Sequence, residues 1–456
     1  MLPSIYGDSP PINPQASRHI LHMKTTSFVL FVFFSFCALT CKKNPVAPPS
    51  GPSTNPLQLS VQSVTCTEAF LKLSLAATAT QRMLTIKRGD STIAAMTMKG
   101  TDSLFVDAGL LPNKTYKYTL ITGNWSVNSQ ATTMDTTSHN WSWEVDTLGI
   151  AESYLYDIAI VNDTLAYIGG EVYLNDSTGT FDQQPYCIAV WNGHVWHLIR
   201  LYDSDNNLIP ILRGVFAFNS SDVWLTDGGV YHWDGISRQV SASFGRISLI
   251  GGVENGQSVN KLWGTSSTNI YGVGYAGMVA HYSANAWTKI PTNLTTEIHD
   301  EWGGSNSAVG NNVVLSTMCN KYYYGDTRVL RLSSSGDLDS IRWGMQNYPP
   351  YSVWFNSTSQ VYVCGGGIFR LQNGSWISMA NGLPSIFLNR VRGNGDNDIV
   401  VAGDYGVVAH YNGASWQVYD QLQLPNGNYE SIAIRNNLVI AVGWYNGQGY
   451  VAIGRR

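Results

Sequence analysis

Charge is scarce in this chain. Asp, Glu, Lys and Arg make up 13% of 456 residues, about half the share usual in globular proteins. The 27 Lys and Arg nearly balance the 31 Asp and Glu, leaving a net charge of −4. No basic block occurs, which excludes nucleic acid as a partner, because a phosphate-binding surface needs clustered Lys and Arg. Long apolar runs are missing too. The run FVLFVFFSFCAL, Phe28 to Leu39, is too short to cross ~30 Å of hydrocarbon as a helix, which takes about 20 residues. Six cysteines are present but none stands in CxxC spacing, so neither a zinc site nor a redox motif is indicated. Cys66, Cys187, Cys319 and Cys364 are expected to be buried free thiols. No nucleophile elbow, phosphate loop or metal-ligand spacing appears, and neither cofactor nor metal is expected. What is abundant is Gly, with 44 residues, and aromatics, at 12%. This composition points to an all-β surface or secreted protein, with two to four domains or one large repeat domain.

The apolar run follows Lys24 and ends at Thr40-Cys41-Lys42-Lys43, the pattern of a secretory signal peptide over residues 1–40. Met23 opens a more ordinary signal, so the true start is expected there. The Cys closing the core resembles a bacterial lipobox. That resemblance implies a lipidated Cys41 as mature N-terminus and a membrane partner through the lipid anchor. It places the chain as an exported lipoprotein at the outer membrane or cell surface. Residues 41–56, rich in Pro and Ser, read as a tether.

From Leu57 to Thr136 short alternating runs follow one another, including Ala69-Phe70-Leu71-Lys72-Leu73-Ser74-Leu75 and Met83-Leu84-Thr85-Ile86-Lys87. About 80 residues of strands at this spacing indicate a β-sandwich. Leu110-x-Pro112-x-x-x-Tyr116 resembles the corner of a fibronectin type III domain. The resemblance implies a Tyr116 hydroxyl bonded to backbone, with Leu71 or Leu73 filling the space of the family's early Trp. Arg88-Gly89-Asp90 reads as a hairpin turn.

Residues 139–456 repeat. Gly264, Gly274, Gly277, Val279, Ala280, His281 and Tyr282 recur as Gly393, Gly403, Gly406, Val408, Ala409, His410 and Tyr411. Each unit holds an apolar strand, a polar turn, a strand ending at Gly, a third strand, a turn and a Trp-bearing fourth strand. Asn192-Gly193, Asp234-Gly235, Asn373-Gly374 and Asn412-Gly413 are expected to form two-residue type I′ turns. Trp196, Trp287, Trp376 and Trp416 follow. Seven units of about 45 residues with four short strands each predict a seven-bladed β-propeller. The last unit has no fourth strand of its own, and Asn140-Trp141-Ser142-Trp143-Glu144-Val145-Asp146 is the orphan that would complete it and remove an open edge. The repeats resemble BNR-like, Kelch-like and Ycf48-like bacterial propellers, although no Asp box of the sialidase type occurs. The resemblance implies fold and says little of function.

Aligning the first strands gives an opening position of Asp157, Gly214, Lys261, Asp300, Ser352, Arg390 and Ser431, with Arg213 one residue earlier than Gly214. Two residues on stand Ala159, Phe216, Trp263, Trp302, Trp354, Arg392 and Ala433. Mixed charge over aromatics suits a sugar or peptide, which aromatic faces stack upon and charges bond at the rim. The same pattern also suits packing between blades with mutually paired charges. Second-to-third loops carry Asp227, Tyr275, Tyr322, Tyr323, Tyr324, Asp404, Tyr405, Trp444 and Tyr445 on the face where first strands begin. His232, His281 and His410 recur at one position in third strands, which points to structural hydrogen bonds. The leading expectation is a monomeric, non-enzymatic binding or scaffold module with a glycan, peptide or protein ligand at the top face, where first strands begin and where propellers usually place ligands. Its binding residues would be Asp157, Arg213, Lys261, Trp263, Asp300, Trp302, Trp354, Arg390, Arg392, Tyr405 and Trp444. A carbohydrate-active enzyme using Asp157, Asp300 or Glu301 is the alternative, with strand alternation setting Glu301 on the opposite side from Asp300. A periplasmic assembly factor is a third.

Overall fold

The computed structural model describes residues 55–76, 82–245, 257–306, 310–319, 327–333, 336–345, 348–356, 360–372 and 374–456. Cys41 with its signal and nearly all of the tether, Tyr322, Tyr323, Tyr324 and Asn373 lie outside the described residues.

Alternating apolar residues shape the first part. Strands Leu57–Val64, Glu68–Leu75 and Asp102–Ala108 form one antiparallel sheet, and Ser91–Met98, Arg82–Arg88, Thr115–Thr122 and Trp125–Thr132 form another. Leu71, Leu73, Leu84, Ile86, Tyr118 and Leu120 meet in one core; each such aliphatic side chain contributes roughly 1.5–3 kcal/mol on burial. The Tyr116 hydroxyl accepts the Leu111 N–H at 2.8 Å, which fixes the corner before its strand. Both Leu71 and Leu73 are fully buried. Arg88 does not present itself from its turn: its Nη1 donates to both oxygens of Asp107 at 3.0 and 3.1 Å.

From Ser142 onward the chain builds seven four-stranded antiparallel sheets among the described residues. Their first strands are Tyr154–Asn162, Gly214–Asn219, Ser258–Ser266, Ile298–Asn306, Pro350–Phe355, Leu388–Gly395 and Asn428–Arg435. These first strands touch one another in cyclic order, the seventh reaching the first. The arrangement is that of a β-propeller.

Between sheets, tryptophan lies on glycine. The Trp263 ring occupies the space where Gly303 of the next first strand would carry a Cβ, and the Trp354 ring comes within 2.7 Å of such an atom on Gly393. Any larger residue at either glycine would push the sheets apart. Fourth-strand tryptophans staple neighbouring sheets: Trp376 Nε1 donates to Arg342 O at 3.0 Å, and Trp416 Nε1 to Met379 O at 2.9 Å. His232, His281 and His410 bond to Asp222, Asn269 and Asp398 of the preceding strand at 3.0, 2.7 and 2.8 Å. The repeated histidine thus cross-links second and third strands within its own sheet.

The seventh sheet takes its fourth strand from Ser142–Leu148, which pairs with Gln448–Arg455 from Arg455↔Ser142 to Gly449↔Leu148. Trp143 packs on Gly454, and Arg456 grips both oxygens of Asp398 in the sixth sheet beneath the Trp141 ring. Trp196 Nε1 of the first sheet donates to Asp146 at 2.9 Å, so the added strand serves both neighbours.

The Asn-Gly turns differ from expectation. Trp191 pairs with Trp196 and Tyr411 with Trp416, leaving four-residue loops. In them Gly193 and Gly413 have positive φ but Asn192 and Asn412 do not. The Asn side chain instead accepts two following N–H groups, an Asx turn that makes positive φ at Asn unnecessary. A two-residue turn with φ positive at both positions occurs at Ala284-Asn285.

The sandwich is fastened to the fifth and sixth sheets. Glu68 and Arg370 form a two-pronged ion pair with little exposure on either side. Asn397 Nδ2 donates to Asp135 O at 2.8 Å, Cys66 Sγ to the same oxygen at 3.1 Å, and Cys66 packs against Gly413. Cys66, Cys187, Cys319 and Cys364 are free and buried.

Candidate functional site: an axial cavity above a charged floor

Among the described residues each sheet ends at its first strand on the inner side, so the side chains of that strand border the axis. Near the third or fourth residue of six of these strands the polar residues converge. Arg390 Nη1 donates to Asp300 Oδ1, and its Nη2 to Asp157 Oδ1 at 3.4 Å. Arg392 donates through Nη1 and Nη2 to the two oxygens of Asp300, each at 2.9 Å. Ser352 Oγ and the Val353 N–H also donate to Asp300 Oδ2, at 2.5 and 3.2 Å. Asp157 receives Ser431 Oγ at 2.8 Å, the Val215 N–H at 3.2 Å and Lys261 Nζ at 3.2 Å. A carboxylate has about four lone-pair positions. Asp300 accepts five contacts and Asp157 four, so both are saturated by protein donors.

The charges follow this geometry. Burial opposes ionisation of Asp300, but Arg390 and Arg392 outweigh it and hold the carboxyl well below the usual range. Burial likewise works against Asp157, and Lys261 with Arg390 brings it below its ordinary value. Burial, with Arg390 adding, pushes the Lys261 ammonium down to about 8 against the pull of Asp157 and Asp300.

A cavity of about 300 Å³ lies over this floor. Its wall runs from Asp157, Lys261, Asp300, Arg390 and Ser431 forward along the first strands, through Ile160, Ala217, Trp302, Gly393 and Ile434 to Arg435. It therefore extends towards the ends of the first strands and not towards their beginnings, the face expected from other propellers. Trp302 borders it, with its Nε1 on Phe355 O at 2.8 Å and Arg392 over its ring at 4.9 Å.

Glu301 is also in this wall, beside Asp300, and is only 2% exposed. Alternation separates the two, since Asp300 and Glu301 pair in unbroken register with Thr317 and Ser316 and the register shift falls before Asp300. Neither carboxyl oxygen of Glu301 has a hydrogen-bond partner. Burial and the adjacent Asp300 charge raise it well above the usual carboxylate range, outweighing the backbone of Trp263.

The other expected binding residues lie elsewhere. Trp263 is buried under the fourth sheet, and Trp354, though it borders the cavity, is spent on Gly393 and Tyr362. Arg213 stacks on Tyr156 at 5.2 Å on the side where first strands begin. Trp444 lies against Tyr154 on that side, and Tyr405 is 59% exposed in its loop. The cavity residues unforeseen from sequence include Arg435 and the aliphatic wall of Ile158, Ile160, Val215, Leu262, Ile432 and Ile434. Their signal was only the apolar character of a core strand.

No family model and no curated protein matches the chain. Among solved structures it is similar to YCF48 bound to D1 peptide, at 13% identity and a TM-score of 0.45, covering 71% of this chain and 100% of that one. The WD40 beta propeller domain of Doa1 gives 13% identity and 0.49 over 70% and 98%, and YCF48 from Cyanidioschyzon merolae 11% and 0.48 over 67% and 98%.

Proposed function

We propose that this chain is a bacterial cell-envelope lipoprotein, anchored through Cys41, whose seven-bladed propeller is a non-enzymatic binding or scaffold module. The fibronectin type III-like sandwich carries the propeller and is fixed to it. The cyclic contacts of the first strands and the pairing of Ser142–Leu148 with Gln448–Arg455 support the closed seven-bladed ring.

One observation carries the binding reading over the enzymatic one. A glycosidase needs two carboxyl groups free to act on one bond. Here Asp157 and Asp300 are filled by Arg, Lys, Ser and backbone donors, and a carboxylate with no vacant lone pair can neither attack a sugar nor activate water. That leaves Glu301 with no carboxylate partner for the reaction. A rigid, paired floor beneath a partly apolar cavity is suited to holding a ligand.

The test is to probe glycan and peptide arrays with the soluble fragment 55–456 and to assay every bound compound for turnover. Retention of a ligand without conversion is expected. Conversion of a bound glycan would overturn the reading in favour of a carbohydrate-active enzyme. Silence on both arrays, with capture of an envelope complex from native membranes, would favour an assembly factor.

A further inference from the structure

We propose that His139 and His410 form an acid-sensitive latch, closed at neutral pH and opened in mildly acidic medium, where the chain passes from the sandwich into the propeller. This goes beyond the binding reading and does not depend on it.

The latch lies at the seam of the ring. Residues 133–141 lie outside any strand and lead into the closing strand Ser142–Leu148. Single hydrogen bonds hold them to the sixth and seventh sheets. The Thr137 N–H donates to Asn412 O at 3.3 Å and its hydroxyl to Asn397 O at 2.5 Å. Arg456 Nη1 donates to Ser138 O at 3.3 Å, and the Tyr419 hydroxyl to His139 O at 3.0 Å. The His139 ring adds two contacts: Nδ1 meets His410 Nδ1 at 2.9 Å, and Nε2 meets Ser415 Oγ at 3.3 Å. His232 and His281 hold the same strand position as His410 and bond within their own sheets; His410 gains a second ring from outside the repeat.

Two ring nitrogens this close form a hydrogen bond only when one carries a proton and the other is bare. His410 Nε2 faces Asp398 at 2.8 Å, with the Thr137 hydroxyl at 3.4 Å, and a carboxylate only accepts, so that nitrogen carries its hydrogen. The pair therefore accommodates one imidazolium, with the shared proton between the Nδ1 atoms, but not two. A second proton would set two N–H groups and two positive charges against each other. Arg456 adds a third cation, and the one carboxylate among these groups, Asp398, already serves both Arg456 and His410. On its own segment Asp135 turns to the Thr136 N–H at 2.8 Å.

His410 is fully buried in its sheet, whereas His139 is half-buried on an irregular segment. His139 is the ring that must leave, and residues 137–140 leave with it. Burial, His410 and Arg456 all oppose its protonation and lower it from the ordinary value of 6.5. The closed seam thus takes a proton less readily than a released His139. Its stability is complete above about pH 6.5 and is lost as the pH falls below that.

The experiment follows amide hydrogen exchange of residues 136–141 in fragment 55–456 at about pH 7.5 and about pH 5.0, as protection relative to the intrinsic rate at each pH. Asp and Glu stay largely ionised across this range. Protection is expected to fall about tenfold or more at the lower pH, with roughly thirtyfold as the ceiling that 1.5 pH units below 6.5 allow. His139→Gln offers an amide donor to His410 and does not titrate, so its protection should change less than about threefold. Equal wild-type protection at both pH values would overturn the latch, as would an equal fall in a folded His139→Gln variant. Titration of the His139 ring by NMR in the wild type needs no variant: a midpoint below 6.5 is expected, and one at or above it would overturn the proposal.

Discussion

Arg390 of the sixth sheet and Asp157 of the first meet across the propeller axis, Nη2 to Oδ1, at 3.4 Å. The same guanidinium also binds Asp300 of the fourth sheet, so one side chain ties together three sheets that are distant in sequence. Removing one partner of a buried ion pair leaves the others charged and uncompensated, at a cost of about 3–5 kcal/mol. Arg390→Met is expected to lose about that much in urea unfolding at neutral pH. Asp157 and Asp300 are held below their ordinary values in the folded state. Their pairing therefore stabilises fully above the unfolded carboxylate range and is lost as pH falls below about 4. The deficit of Arg390→Met should shrink on acidification, and a deficit equal at both pH values would refute the network's role.

Glu301 has the opposite sign. Its folded-state value is raised, so the folded chain keeps a proton that the unfolded chain releases above about pH 4.3. Stability contributed by this group is present at low pH and is lost as pH rises. Glu301→Gln removes that dependence. We expect it to melt higher than the parent at about pH 7.5 and nearly level with it at about pH 4. A variant that melts lower at both would mean that Glu301 is ionised and bound to something in the fold.

Strand Ser142–Leu148 covers the open edge of Gln448–Arg455, while Trp143 packs on Gly454 and the Tyr419 ring at 5.0 Å. Losing it exposes a long edge and empties the space of two tryptophans. A fragment beginning at Ala151 should aggregate or melt far below one beginning at Thr137, both lacking the sandwich. Melting within about two degrees of each other, a shift worth less than about 1 kcal/mol, would contradict closure by this strand.

The joint between sandwich and propeller rests on Glu68–Arg370 and on Cys66 against Gly413. Fragment 55–456 is expected to unfold in one calorimetric transition. Glu68→Ala leaves Arg370 without its acid in a largely buried place, and it should lower the sandwich's melting and split the transition. An unchanged single transition would show that the ion pair does not couple the two parts.

Much of the fold was legible because repetition is visible in a linear string. The Gly-Val-Ala-His-Tyr recurrences mark second and third strands, and the missing fourth strand of the last unit points to the orphan Trp strand. The turns were harder: Asn192-Gly193 has the letters of a tight hairpin, but the Asn side chain caps the loop and two more residues enter it. At the axis, the sequence places the charged residues at one strand position but does not say which charge meets which. Arg390 and Asp157 stand 233 positions apart and converge only when the ring forms. The direction of the cavity was likewise hidden, because it depends on how side chains from seven first strands fill the space around the axis. Alternation set Glu301 on the side opposite Asp300, and the unbroken register from Asp300 to Gly304 keeps it there.

The most direct test of the binding reading is to fill the cavity. Ala433 lines it on the seventh sheet, and Ala433→Trp would occupy much of its volume without touching the ion-paired floor. The measurement is binding of the ligand found on the arrays to wild-type and Ala433→Trp fragments of equal folded content. We predict that the wild type binds and does not convert it, and that the filled variant loses at least about tenfold in affinity, or about 1.4 kcal/mol. Equal affinity in a folded Ala433→Trp fragment, or turnover by the wild type, would contradict a non-enzymatic site on the propeller axis.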